Sequence, residues 1–202
     1  MMISIIGLGL IGASFAKAIK AKTDHKVTGF DINIDVLNSA IDDKTIDFIG
    51  NDELLSQSDM VIVSLYPSAT IDFVKQNADK FKIDPDHIYI IGYSMGGFCA
   101  MNLLARGAKV KGAVLLSPCD LGSRYINKPA RYQVTIDAQK GGYFRTPDED
   151  YMDNDVREHA EQWQFPVLAS QIDANLPIRF VGGAEDVTTP SPIHIPTLIL
   201  SE

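Results

Sequence analysis

The chain has 202 residues, an apolar fraction of 46% and a formal net charge of −8 at pH 7. This acidic balance without a basic cluster argues against nucleic acid or an anionic membrane as a partner, and no apolar run approaches the roughly 20 residues that span a bilayer. Two cysteines are too few for a disulfide framework, and the N-terminus lacks the basic region of a signal peptide, so we expect a cytoplasmic protein.

Apolar runs alternate with stretches of helical periodicity along the chain. The pattern predicts strands at 2–6, 26–30, 59–65, 87–91, 110–116 and 178–181, and helices at 10–19, 35–41, 67–80 and 94–105. This alternation predicts one α/β domain with a single doubly wound, mostly parallel sheet and helices on both faces. The polar segment 121–172 shows helical character near 156–163, and we expect a lid-like excursion there before the last strand.

The first strand runs into a glycine-rich turn that opens a helix. Its G-x-G-x-x-G pattern is formed by Gly7, Gly9 and Gly12. These glycines suit a tight turn, a close approach of the backbone to a pyrophosphate, and packing of the helix on the strand. The amides of Leu10 and Ile11 at the helix start would contact the phosphates. The turn therefore predicts a dinucleotide site, and the alternative is a turn whose glycines serve packing only.

Asp31 supports the dinucleotide interpretation. It ends the second strand at about the 20-residue separation from the last glycine that the motif expects. A carboxylate there binds the ribose hydroxyls and repels a 2′-phosphate, which favours NAD over NADP.

Several runs in the first half resemble one enzyme family. Residues 1–82 are similar to the N-terminal part of bacterial prephenate dehydrogenases, in I-I-G-L-G-L-I-G at 5–12, G-F-D-I-N at 29–33, S-L-Y-P at 64–67 and A-T-I-D-F-V at 69–74. The resemblance implies NAD binding through the three glycines and Asp31. It stops near residue 82, and the family's catalytic histidine motif and helical dimerisation domain are not found in the sequence, so prephenate turnover is not expected.

The fourth predicted strand runs into a second glycine-rich turn, G-Y-S-M-G at 92–96, followed by a helical pattern. A G-x-S-x-G turn between a strand and a helix is the nucleophile elbow of serine hydrolases. Ser94 would be the nucleophile and the backbone N–H of Met95 an oxyanion donor. The alternative is a structural serine in a turn that needs glycine.

From about residue 83 the chain resembles the C-terminal half of an α/β-hydrolase, with G-A-V-L-L-S-P matched at 112–118. The resemblance implies that Asp186, after the last strand, is the triad acid; the alternative is a turn residue. His194 is the candidate base, although it follows Asp186 by only eight residues, too few for the intervening strand of that fold. The alternative for His194 is a loop residue between prolines.

The two halves, 1–82 and 83–202, suggest a recombined, designed or fused chain. We expect them to share one sheet in the order 3-2-1-4-5-6, with strand 87–91 beside strand 2–6 and Ser94 facing the glycine turn across one crevice.

The leading functional prediction is residual NAD or NADH binding without the complete catalytic apparatus of either parent. The alternatives are a weak serine esterase that uses Ser94, and a folded scaffold without activity. The predicted partner is a dinucleotide or another small molecule. We assign no metal site, and the sequence does not indicate an oligomeric state.

Overall fold

The structure is a computed structural model that describes residues 1–81, 83–127, 154 and 157–182. The chain divides into two compact units, Met1–Ile83 and Asp84–Glu202. Within the described ranges, no helix combines the length and the apolar character needed to cross a bilayer.

The first unit is built on a four-stranded parallel sheet in the order β3-β2-β1-β4. Its elements are β1 (Met2–Ile6), α1 (Leu10–Lys22), β2 (Lys26–Phe30), α2 (Ile34–Asp42), β3 (Phe48–Ile49), α3 (Asp52–Ser56), β4 (Met60–Val63) and α4 (Pro67–Asn77). Strand β1 lies in the interior of this sheet, and Ile3 and Ile5 are buried in the core with Ala16 of α1. The small side chain of Ala16 lets α1 pack closely on the sheet, which places the start of α1 at the carboxyl end of β1.

The second unit contains a three-stranded parallel sheet in the order β5-β6-β7. After a 3₁₀ turn at Pro85–His87, its described elements are β5 (Tyr89–Tyr93), α5 (Met95–Ala105), β6 (Gly112–Leu116), α6 (Leu121–Asn127), α7 (Phe165–Ala169) and β7 (Ile178–Val181). The core joins Leu115 of the sheet to Met101 of α5 and to Phe165, which is fully buried at the start of α7. Helices α5 and α7 therefore share one core with the sheet.

The predicted α/β class with parallel strands is confirmed, but the strands differ from the expected single sheet. They pair in two sheets, and the place beside β1 that was expected for 87–91 belongs to β4. The strand that sequence reasoning missed is β3, which has only two residues, Phe48 and Ile49, and so shows no periodicity. Since β1 has β2 and β4 as its neighbours, the expected pairing of strand 87–91 with strand 2–6 is wrong.

Strand β5 begins two residues later than expected. Asp84 accepts a hydrogen bond from the amide of Asp86 at 2.9 Å and contacts Nδ1 of His87 at 2.5 Å, so these residues form the 3₁₀ turn instead. In the excursion, residues 157–159 are helical and 160–163 form turns, which shortens the helix expected at 156–163.

Asp47 links three parts of the first unit. Its carboxylate accepts hydrogen bonds from Lys20 Nζ at 2.7 Å and from the amide of Val27 at 2.8 Å, and Lys26 Nζ lies 3.3 Å away. Burial raises the pKa of Asp47, but these hydrogen bonds and the charge of Lys20 outweigh it, so the net pKa lies below the ordinary 3.8. The ionised carboxylate therefore stabilises the folded state.

We expect Asp47→Asn to lower the free energy of unfolding at pH 7 by about 2 kcal/mol, because the neutral amide loses the hydrogen bonds that the charged carboxylate accepts. A depressed folded-state pKa contributes stability above the unfolded pKa, and this contribution is lost as the pH falls through the folded pKa. Urea unfolding followed by circular dichroism should therefore show a difference that shrinks below pH 4. As control, Asp52→Asn breaks an exposed pair with Lys80 and should cost less than about 0.5 kcal/mol. Equal losses in the two variants would contradict the prediction.

Candidate active site

Ser94 occupies a sharp turn between β5 and α5. Its backbone has φ +51° and ψ −113°, a conformation that residues other than glycine rarely adopt. Such a residue stores about 1–3 kcal/mol of strain, which the surrounding structure has to hold in place. Ser94 is half-buried, so its side chain is not sealed in the core.

The turn closes because glycines surround the serine. A Cβ on Gly92 would lie 2.6 Å from the carbonyl oxygen of Gly96, and one on Gly97 would lie 2.5 Å from Cβ of Pro118. Both distances are too short for real atoms, so glycine is needed at 92 for the close turn between β5 and α5 and at 97 for the close approach of α5 to Pro118 after β6. The G-x-S-x-G-G sequence thus has a steric reason within this fold.

Hydrogen bonds from the end of β6 and the turn after it hold both the amide and the carbonyl of Ser94. The Ser94 amide donates to the carbonyl of Leu116 at 2.9 Å, and the Ser94 carbonyl accepts from the amide of Cys119 at 3.0 Å. Between these two partners lies Ser117, which also has a positive φ of +39° and donates its amide to Val181. Two strained serines therefore follow neighbouring strands at the same edge of the sheet.

Sequence reasoning missed Ser117. The one signal in the sequence is a serine followed by proline directly after a strand, and this pattern does not by itself predict a positive φ.

Met95 is the first residue of α5. First-turn amides have no acceptor within their own helix, so the Met95 N–H is available to an oxyanion beside Ser94.

Further along the same helix, burial raises the pKa of the Cys99 thiol. Cys99 therefore stays protonated at neutral pH and is a poor competitor for the nucleophile role.

The predicted partners of Ser94, Asp186 and His194, lie outside the described residues. The two described histidines of this unit, His87 and His159, do not lie where a base for Ser94 is expected. His87 precedes β5 at the amino end of the strand, whereas Ser94 follows its carboxyl end. His159 stacks on Trp163 with ring centroids 5.0 Å apart.

In the first unit, the glycine turn leads from β1 into α1. Gly7 has φ +91°, and a Cβ there would lie 2.6 Å from the carbonyl oxygen of Ser64. A Cβ on Gly12 would lie 1.9 Å from the carbonyl oxygen of Gly7, whereas Gly9 has open space around it. Leu10 and Ile11 follow at the helix start with 85% and 50% of their surface exposed.

Asp31 is attached to this turn. One carboxylate oxygen accepts a hydrogen bond from the amide of Leu8 at 2.9 Å, and the other accepts one from the amide of Asn33 at 2.9 Å. The acid therefore stands beside the glycine turn of β1, and its remaining lone pairs are open to further donors.

Comparison with known families gives one match over most of the chain. The sequence model of the alpha/beta hydrolase fold family matches residues 7–192. The chain belongs to this family. The match includes the strand–helix turn at Ser94 and also most of the first unit, and no comparison shows a prephenate dehydrogenase segment in residues 1–82. No curated protein matches the chain at a significant level. NAD binding by the first unit stays a prediction.

Proposed function

We propose that the protein is a serine hydrolase that cleaves small carboxylic esters with Ser94 as its nucleophile. The observation that supports this most is the left-handed backbone of Ser94 at a strand–helix turn, in a chain of the alpha/beta hydrolase fold family. Strained conformations of this kind concentrate at functional sites, where the strain is maintained by many neighbouring contacts. The turn is held from two sides, by Leu116 and Cys119.

In the proposed reaction, Oγ of Ser94 attacks the ester carbonyl carbon, and the N–H of Met95 stabilises the oxyanion. The base that takes the Ser94 proton passes it to the departing alcohol and then takes a proton from water, which hydrolyses the acyl-serine to release the acid and restore the hydroxyl. A serine attacks slowly unless a base accepts its proton. We propose His194 as this base and Asp186 as the acid that orients it.

A fluorophosphonate probe tests the assignment directly, because it reacts with activated serines and remains attached. We expect a single adduct on the peptide that contains Ser94, and no adduct after heat denaturation. An adduct on another serine, or equal labelling of native and denatured protein, would count against the proposal.

A second candidate function is binding of NAD by the first unit, favoured by the space around Gly9. No atom lies within 4 Å of the position of a Cβ there, so a pyrophosphate has room to approach the backbone. No side chain caps α1 at Gly9, which leaves the first amides of a 13-residue helix to bind phosphate. Asp31 and the fully exposed Ile32 follow β2 and offer a hydroxyl acceptor and an apolar surface to the adenosine.

Replacing Asp31 with alanine should weaken NADH binding at least about tenfold, because the ribose hydroxyls lose a charged acceptor. Titration of nicotinamide fluorescence measures the affinity, and thermal unfolding measures the accompanying loss of stability. Asp35→Ala removes the same charge from the first turn of α2 and should leave the affinity unchanged. Equal affinity of wild type and Asp31→Ala would contradict the role of Asp31.

A further inference from the structure

The turn after β6, residues 117–120, is the support of the nucleophile. We call it the β6 turn. Its Cys119 amide binds the Ser94 carbonyl at 3.0 Å, and its Pro118 packs against Gly97 in the first turn of α5. A displacement of this turn therefore changes the backbone of Ser94.

Asp120 closes the β6 turn and ties it to two helices. One carboxylate oxygen accepts a hydrogen bond from the amide of Ser123 in α6 at 3.0 Å. The other accepts from Ser123 Oγ at 2.8 Å and from the amide of Phe165, the first residue of α7, at 3.2 Å. Phe165 is fully buried, so Asp120 links the turn to a fixed point of the core.

We propose that Asp120 is a positioning residue for Ser94, because it holds the β6 turn in the place from which Cys119 maintains the left-handed backbone of the nucleophile. This inference rests on the proposed hydrolase function. Asp120 does not touch the substrate in this scheme. It acts through two contacts: its carboxylate anchors the turn on Ser123 and Phe165, and the Cys119 amide of the turn donates to the Ser94 carbonyl.

The test is the rate of fluorophosphonate labelling and of p-nitrophenyl ester cleavage in Asp120→Asn. The amide keeps the shape of the carboxylate but presents an N–H₂ group to donors. We expect the labelling rate and kcat to fall at least about tenfold, since misplacing a reacting group by an ångström costs up to about 10²-fold. KM should change little, because a residue that only positions the nucleophile does not bind the ester. The chain's single tryptophan, Trp163, packs edge-on against Phe98, and unchanged emission would show that this core remains formed.

Asp173→Asn is the matched control. Asp173 closes a turn before β7 by accepting hydrogen bonds from Asn175 at 2.9 and 3.1 Å, at the opposite edge of the sheet from Ser94. This variant should keep the wild-type rate. If Asp120→Asn does not fold, Ser123→Ala removes only the hydroxyl donor and should slow labelling about two- to threefold with wild-type KM.

The outcomes separate the two proposals. A wild-type protein that is not labelled at Ser94 overturns the hydrolase function and the positioning role with it. Wild-type labelling together with an undiminished rate in Asp120→Asn and Ser123→Ala overturns only the positioning role. If the labelling rate falls equally in Asp173→Asn, the effect comes from a general loss of stability, and the positioning role of Asp120 is overturned as well.

Discussion

Replacing Ser94 by glycine is expected to abolish ester cleavage and at the same time to raise the free energy of unfolding by about 1 kcal/mol. The hydroxyl that attacks the carbonyl is gone, so turnover should fall to the uncatalysed rate. Glycine adopts the observed φ of +51° without a Cβ penalty. The relief of strain exceeds the greater entropy that glycine gives the unfolded chain.

Two further variants separate these effects. Ser94→Ala removes the hydroxyl but keeps the strain, so activity should vanish while stability stays within about 0.5 kcal/mol of wild type. Lys44→Gly relieves a positive φ of +57° in the first unit, and it should raise stability by about 0.5 kcal/mol with full activity. Ester hydrolysis and urea unfolding measure both quantities. Persistent cleavage in Ser94→Gly would show that Ser94 is not the nucleophile.

The largest loss of stability is expected at Gly12. A Cβ at this position would lie 1.9 Å from the carbonyl oxygen of Gly7, and this backbone atom of the turn after β1 cannot move away as a flexible side chain can. Gly12→Ala should therefore cost about 3 kcal/mol or prevent the first unit from folding, because α1 has to separate from β1. Far-ultraviolet circular dichroism with urea unfolding provides the measurement.

Gly9→Ala is the counterpart within the same motif. Gly9 has φ −66° and open space at the Cβ position, so alanine should change the free energy of unfolding by less than about 0.5 kcal/mol. The same substitution places a methyl group where a pyrophosphate would approach, and it should weaken NADH binding if the first unit binds the cofactor. A Gly12→Ala protein as stable as Gly9→Ala would refute the packing role of Gly12.

Much of the fold follows from local patterns. Strands such as β1 and β6 are short and mostly apolar, and the start of α1 is marked by glycines, so these elements were predictable. The strand order was not, because it depends on β3, whose two residues carry no periodicity. Neither apolar runs nor glycine turns reveal which strand becomes the neighbour of β1.

The candidate site also contains residues that the sequence predicts and residues that it does not. Ser94 and Met95 were predictable because the elbow is a local motif in a strand–helix context. The β6 turn was not, because Ser117 and Asp120 act through hydrogen bonds to residues distant along the chain, Val181 and Phe165. Whether Asp186 and His194 complete the site stays a prediction.

The hydrogen bonds around Ser94 also bear on the order of folding events. The acceptor for its amide is Leu116 at the end of β6, and its carbonyl accepts from the Cys119 amide in the β6 turn as well as from the Gly97 amide in α5. Two of the hydrogen bonds that hold the left-handed conformation of Ser94 therefore form only when β6 has paired with β5. During refolding, reactivity of this serine should appear no earlier than the pairing of β5 with β6, which makes an active-site probe a kinetic reporter of that step.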